Sequence, residues 1–320
     1  LWTMSLRRSA PSVQPSSSLA CELMPLLVCD LPVPLLDSFS LSTPSLLRSR
    51  LLWLSSGLQP GCNVSPLHSD CGNQASRRQR RRHDRIASNL TPVRGAGLST
   101  PYVEFGRLLD HSHDLEAEIR RMLGGDELQL FDDTPRTLVT LSATQTSLEH
   151  GIALRVLLAK PLPSAGIAMM RLQHEALTRA VWLLYAASDE QIDRLVAPLD
   201  ATAERAAAKL PMAKTMLDEI VGKAPHGAVE MLTHFKDVNA PALHSFVHGG
   251  IHAIQRGLTG YPVELLANVV RSSNGLYTMA GMLLAILSGD EALAKRMSKI
   301  QPRFADCLPP LIAPVARPET

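Results

Sequence analysis

Three histidines recur every four residues in the stretch Leu243-His244-Ser245-Phe246-Val247-His248-Gly249-Gly250-Ile251-His252, with Gln255 and Arg256 just beyond. Imidazole titrates near neutral pH and also ligates metals, so this is where the chain is best equipped for chemistry. Four residues make about one helical turn, and an unbroken helix would align the three rings on one face. Two neighbouring rings can clasp one ion, but the first and third lie about 12 Å apart along the axis. A metal would need a further ligand from Glu149, His150, His174 or Glu175. Gly249-Gly250 falls in the middle, and each glycine costs a helix roughly 1 kcal/mol relative to alanine. Either the helix breaks there or another backbone approaches closely. A metal site, a buried hydrogen-bonded cluster and scattered surface histidines all remain open. The buried cluster is the expectation, with no metal and no cofactor.

A second set lies upstream, where Arg171, Glu175 and Arg179 are spaced four apart and set one carboxylate between two guanidiniums. On a solvated face such a ladder is worth a few tenths of a kcal/mol. Its flanks, Ile167-Ala168-Met169-Met170 and Ala180-Val181-Trp182-Leu183-Leu184-Tyr185, are apolar on most sides, which argues for a buried helix and an inward-facing ladder. His174-Glu175-Ala176-Leu177-Thr178 begins like a zinc-protease signature, but Thr178 stands where the second histidine must be, so that site is excluded. Glu230 and His234 lack the spacing of di-iron bundles. Neither a glycine-rich phosphate loop nor a Gly-x-Ser-x-Gly elbow occurs. A third polar set, Asn268, Arg271, Ser272, Ser273 and Asn274, interrupts an apolar run and would either line a polar cavity with the histidines or mark a break.

The elements that must position these residues are helices. Proline, glycine and short polar clusters divide Leu98–Thr320 into helix-length pieces. The spacing predicts helices over Thr100–Leu123, Arg136–Ala159, Ala165–Ala187 and from Ser188 to about Leu210, with shorter ones over Pro211–Lys223 and Gly227–Phe235. A histidine helix is expected to be capped by Asn239 or Ala240 with Pro241 in its first turn, followed by Pro262–Ser288 and Asp290–Ile300. No stretch alternates with a period of two, so strands are not expected. The fold class is all-α: a single helical bundle over residues 98–310, with a tail at 311–320.

Residues 1–97 differ in kind. They are crowded with Ser, Pro, Leu and Arg, lack Lys, and hold 11 Arg against 5 acidic residues, so the net charge of +2 conceals a remainder near −4. Such a segment buries too little apolar surface to offset its ordering entropy and reads as disordered, low-complexity chain. Its arginine run, Arg77-Arg78-Gln79-Arg80-Arg81-Arg82-His83-Asp84-Arg85, invites a nucleic-acid reading. The missing Lys, and the absence of Met between Met24 and Met122, fit instead a stretch read upstream of a start near Val93, Leu98 or Val103. Cys21, Cys29, Cys62 and Cys71 match no zinc module or compact disulfide scaffold, so unpaired thiols in a reducing cytosol are expected. No run approaches the ~18–20 apolar residues of a membrane span, nor is an export signal legible. The expected location is cytoplasmic.

From Leu98 to about Gly289 the chain resembles a family of uncharacterised bacterial all-helical domains. The features are the Arg171…Glu175…Arg179 helix, the segment Leu243–Gly250, and the helix through Asn268, Ser272 and Gly275. More loosely it resembles HEPN-type helical bundles, several of which cleave RNA as toxins or abortive-infection proteins. Their signature is Arg, four to six residues, then His. Here Lys236 and Asp237 precede His244 and His248, and no suitably placed Arg does.

The resemblance implies an interaction or stress- and defence-associated module with a buried cluster of Glu175, Arg179, His244 and His248, structural or binding a small ligand. Its partner would be RNA or a protein, and a homodimer is compatible with it. The alternative is a metal-independent ribonuclease in which His248 is the general base and Arg179 or Arg171 steadies the phosphate. A metal-dependent helical-bundle enzyme ranks third.

Overall fold

A computed structural model of the chain describes residues 100–125, 128–198, 200–201, 204–205 and 209–310. The low-complexity segment, its arginine run and four cysteines, and the expected tail all lie outside the described residues. Among those described, the elements are helical and none is a strand. In chain order they are α1 (Thr100–Met122), α2 (Pro135–Ala159), α3 (Pro163–Tyr185), α4 (Asp189–Val196), α5 (Ala213–Glu219), α6 (His226–Val247), α7 (Ile251–Thr259), α8 (Val263–Leu287) and α9 (Glu291–Met297). A 3₁₀ turn, Gln301–Phe304, follows.

The centre is α8, buried almost without interruption from Val269 to Ala285. Its residues are apolar on most sides, so the helix must be covered all round. It packs against α1, α2, α3 and α9. The most extensive pairing is the α2–α3 hairpin, turned through Pro161 and Pro163, and α3 in turn carries α5 and α6 on its far side. Trp182, Leu177 and Ile167 of α3 are fully buried, and at roughly 1.5–3 kcal/mol per large apolar side chain such positions dominate the burial. Trp182 also donates through Nε1 to Glu219 Oε2 at 2.6 Å, fastening α5.

Local sequence sets the ends. Ser188 and Gln191 form a reciprocal capping box at the start of α4. Thr134 caps α2 by accepting from the Thr137 N–H, with Pro135 in the first turn. At the end of α3 the Leu183 carbonyl accepts from Arg136 Nη1 at 2.6 Å, while Nη2 of the same guanidinium reaches Asp189 at 2.7 Å.

Two expectations about helix ends fail. The fourth helix stops at Val196, well before Leu210, because Pro198 follows. The predicted boundary near Asn239–Pro241 is not there either: α6 runs unbroken from His226 to Val247 with Pro241 inside it. A helix-interior proline leaves the carbonyl four residues back without its usual donor. Here that residue is Asp237, in an exposed part of the helix, where water can serve. Asn239 turns its side chain onto the Phe235 carbonyl at 3.1 Å instead of capping.

Candidate functional site

Helix α6 ends where the double glycine begins. His248 is the residue just past its last turn, Gly249 takes φ +64, and α7 starts afresh at Ile251. A left-handed backbone at that point favours glycine. Ser245 locks the corner, its Oγ accepting from the His252 N–H at 2.8 Å. A side chain at position 250 would meet that Oγ at 2.7 Å. The three histidines therefore do not share one face: His244 and His248 remain together, and His252 belongs to the next helix.

Those two imidazoles lie 4.4 Å apart, centroid to centroid, tilted by 52°. Arg171 of α3 reaches across to them, Nη1 standing 2.5 Å from His244 Nδ1, while Glu175 accepts from its Nε at 2.7 Å. A guanidinium has only donors, so in the neutral ring Nδ1 is the acceptor and the proton lies on Nε2. Glu175 thereby orients Arg171, Arg171 fixes the tautomer of His244, and His248 lies against it with no hydrogen-bond partner among the described residues.

Four of the five candidate residues thus converge, but not in the interior. Arg171 and Glu175 are half-buried, with side chains 26% and 38% exposed, and His244 and His248 are exposed. Arg179 stays in solvent, a full turn from Glu175, and bonds to nothing among the described residues. The expectation of a buried Arg/Glu/His cluster is corrected. The inward stripe of α3 is Ile167, Met170, Gln173-His174, Leu177-Thr178 and Val181, and the 171–175–179 row borders it on the solvent side.

The buried polar groups lie elsewhere, most of them spent on contacts between helices, though Asn274 Oδ1 and Thr178 Oγ1 have no partner among the described residues. Ser273 donates to Gln173 Oε1 at 2.6 Å, Gln173 Nε2 donates to the Ser273 carbonyl at 3.0 Å, and Ser147 donates to the Gln173 carbonyl. Asn274 Nδ2 donates both to Ser112 Oγ and to the Cys307 carbonyl, each at 2.8 Å. The polar set inside α8 therefore does not break the helix, and Ser273, Asn274 and Arg271 bond to residues other than the histidines. Arg155, only 1% exposed, pairs with Glu116 of α1 and lies over the Tyr277 ring, 4.9 Å from its centroid. Burial pushes the Tyr277 hydroxyl well above its ordinary range and the Cys307 thiol up to about 12. His174 stacks on Phe235 and donates from Nε2 to the Leu232 carbonyl at 2.9 Å. Its burial depresses it to about 4, which makes it a neutral core histidine. No group of three or more His, Cys, Asp or Glu among the described residues is arranged to hold a metal ion.

Sequence reasoning missed α7. None of its residues is buried, and Ile251, Ile254 and Leu258 are 66%, 60% and 79% exposed. Their i, i+3, i+7 spacing was readable as one helix face, and a break at Gly249-Gly250 was one of the readings, but that the next helix turns this face outward was not legible.

The fold and site define an all-helical domain carrying a surface Arg–Glu–His–His corner next in chain to an exposed apolar helix. Residues 144–310, more than half the chain, match the model of a family of unknown function, DUF6988, and the chain belongs to that family. No curated protein and no solved structure matches it. No helix among the described residues is long and apolar enough to cross a membrane.

Proposed function

We propose that the domain is an interaction module whose docking face joins the Arg171–Glu175–His244–His248 corner to the outward side of α7. The observation that carries this is α7 itself, a helix with no buried residue and three aligned apolar side chains in water. Exposed apolar surface rimmed by polar groups marks sites of association. Three side chains cover far less than the roughly 800 Å² per partner of a standard interface. The face therefore suits a short amphipathic segment better than a second copy of the domain. Arg171 and the two imidazoles, next in chain to the stripe, favour a carboxylate next to that segment's apolar residues. A stress- or defence-associated role rests on the family resemblance and adds no residue to the site.

The test is a photo-crosslinking residue placed at Ile254 in the full chain, expressed in its source cells. A discrete crosslinked protein, lost when Arg171→Glu is combined with it, is the expected result. The same band surviving Arg171→Glu, or no band at all, overturns the proposal.

A second reading, the metal-independent ribonuclease, draws on one observation, the two imidazoles in contact beside a guanidinium. In it His248 takes the proton of the attacking 2′-hydroxyl, Arg171 holds the phosphate, and water protonates the leaving oxygen, since a neutral His244 whose Nδ1 accepts from Arg171 is no general acid. Arg179, lacking contact with the pair, drops out of that role. RNA cleavage in the presence of a chelator, abolished by His248→Ala, is what this reading requires.

A further inference from the structure

A cleft of about 420 Å³ lies between the end of α1 and the last turn of α9 with the segment after it, remote in sequence from the histidine corner. Its lining is Glu118, Arg121, Met122, Arg296, Lys299 and Arg303, so four cations face one carboxylate and three positive charges are uncompensated. Its size falls within the usual range for small-molecule sites, roughly 300–1,000 Å³.

The lone carboxylate is the best-shielded charge of the set, with the Glu118 side chain 13% exposed. It accepts from Arg121 Nε and Nη2 at 2.8 and 2.9 Å, and from Arg303 Nη1 at 2.6 Å. These two guanidiniums hold its pKa down to about 2, so it stays ionised at any physiological pH. Glu118 thus fixes two guanidiniums in place and leaves Arg121 Nη1 and the Nε and Nη2 of Arg303 unspent. Arg296 and Lys299 add two more cations with no partner among the described residues. Holding three guanidiniums and an ammonium around one small volume costs mutual repulsion, which an anion entering the cleft would relieve. Planar guanidiniums match phosphate oxygens two at a time.

From this we infer that the cleft binds a compact anion with two or more adjacent phosphate groups. An inorganic oligophosphate and a nucleoside triphosphate share that chemistry.

The experiment is titration calorimetry on the full chain at low ionic strength with three probes: sodium tripolyphosphate, ATP without magnesium, and adenosine. The inference predicts saturable one-to-one binding of the two phosphate probes and none of adenosine. Tighter binding of ATP than of tripolyphosphate identifies a nucleotide site, and equal binding identifies a site for the phosphate chain alone. Arg296→Glu with Lys299→Glu, both exposed positions, is expected to weaken binding at least tenfold with an unchanged thermal melt. Arg171→Ala and the distant exposed Lys214→Glu are expected to leave it unaltered. No saturable binding, or equal weakening by Lys214→Glu, overturns the inference, the latter because only net charge would then be read.

Discussion

Removing the Glu116 carboxylate should expose how much of the fold hangs on one interior ion pair. Arg155 is 1% exposed, and its guanidinium is sandwiched between Glu116 and the Tyr277 ring with Nε unpartnered. Glu116→Ala leaves that charge buried with no carboxylate and only Tyr277 beside it. Breaking a buried pair by deleting one partner costs about 3–5 kcal/mol, and the retained cation–π contact offsets up to ~2 kcal/mol of this. A net loss of about 3 kcal/mol is the working figure. With a slope of roughly 3 kcal/mol per molar urea, the midpoint should fall by about 1 M. The double substitution Glu116→Leu with Arg155→Met replaces both charges by apolar groups of similar length, and should lie within about 1 kcal/mol of the parent. Urea unfolding followed by far-ultraviolet circular dichroism measures all three proteins. A single variant that costs less than about 1 kcal/mol, or a double variant as unstable as the single, would refute the reasoning.

Three further outcomes follow from the same geometry. Gly151→Ala should destabilise despite alanine's better helix propensity, because its methyl would stand 2.7 Å from Gln173 Nε2 and 3.1 Å from Tyr277 Cδ2. Displacing Gln173 from its two bonds to Ser273 costs about 1–3 kcal/mol net by urea unfolding, and a gain in stability would contradict the packing. His174 has its folded pKa depressed from 6.5 to about 4. Its contribution is therefore whole above pH 6.5 and lost as pH falls to about 4. It amounts to about 3 kcal/mol between those limits, and His174→Gln should flatten that pH dependence of the urea midpoint. Pro241→Ala restores a donor for the Asp237 carbonyl and should raise stability by about 1–2 kcal/mol, checked by thermal unfolding.

The parts of the fold that could be read beforehand were those where one signal had no rival. The apolar run of α8 could only be a buried helix, and Ser188 with Gln191 three residues on could only open one. A second helix start was expected inside α6 because Asn239 and Pro241 look like a cap and first turn. That pattern is local, whereas the continuity of α6 comes from Met231, Phe235, Ala242 and Phe246 being buried together. The candidate site was half legible. Spacing alone put Arg171 beside Glu175 and His244 one turn from His248. Which flank of α3 faces water depends on a shift of a single residue around the helix, and flank composition could not decide it. Arg155 in the run Leu154-Arg155-Val156-Leu157-Leu158 carried a signal that went unused, a lone charge among apolar neighbours. The basic cleft carried none, since Arg121 and Arg303 meet only in three dimensions.

The contact that joins α3 to the histidine corner, Arg171 Nη1 on His244 Nδ1, can be observed directly by long-range ¹H–¹⁵N correlation spectroscopy of the imidazole nitrogens in the neutral ring. The prediction is a His244 proton resident on Nε2 in the parent protein, giving way to a mixture of tautomers in Arg171→Ala. A proton on Nδ1, or a spectrum indifferent to that substitution, would mean that the guanidinium and the imidazole do not meet, and the docking corner would be lost with them.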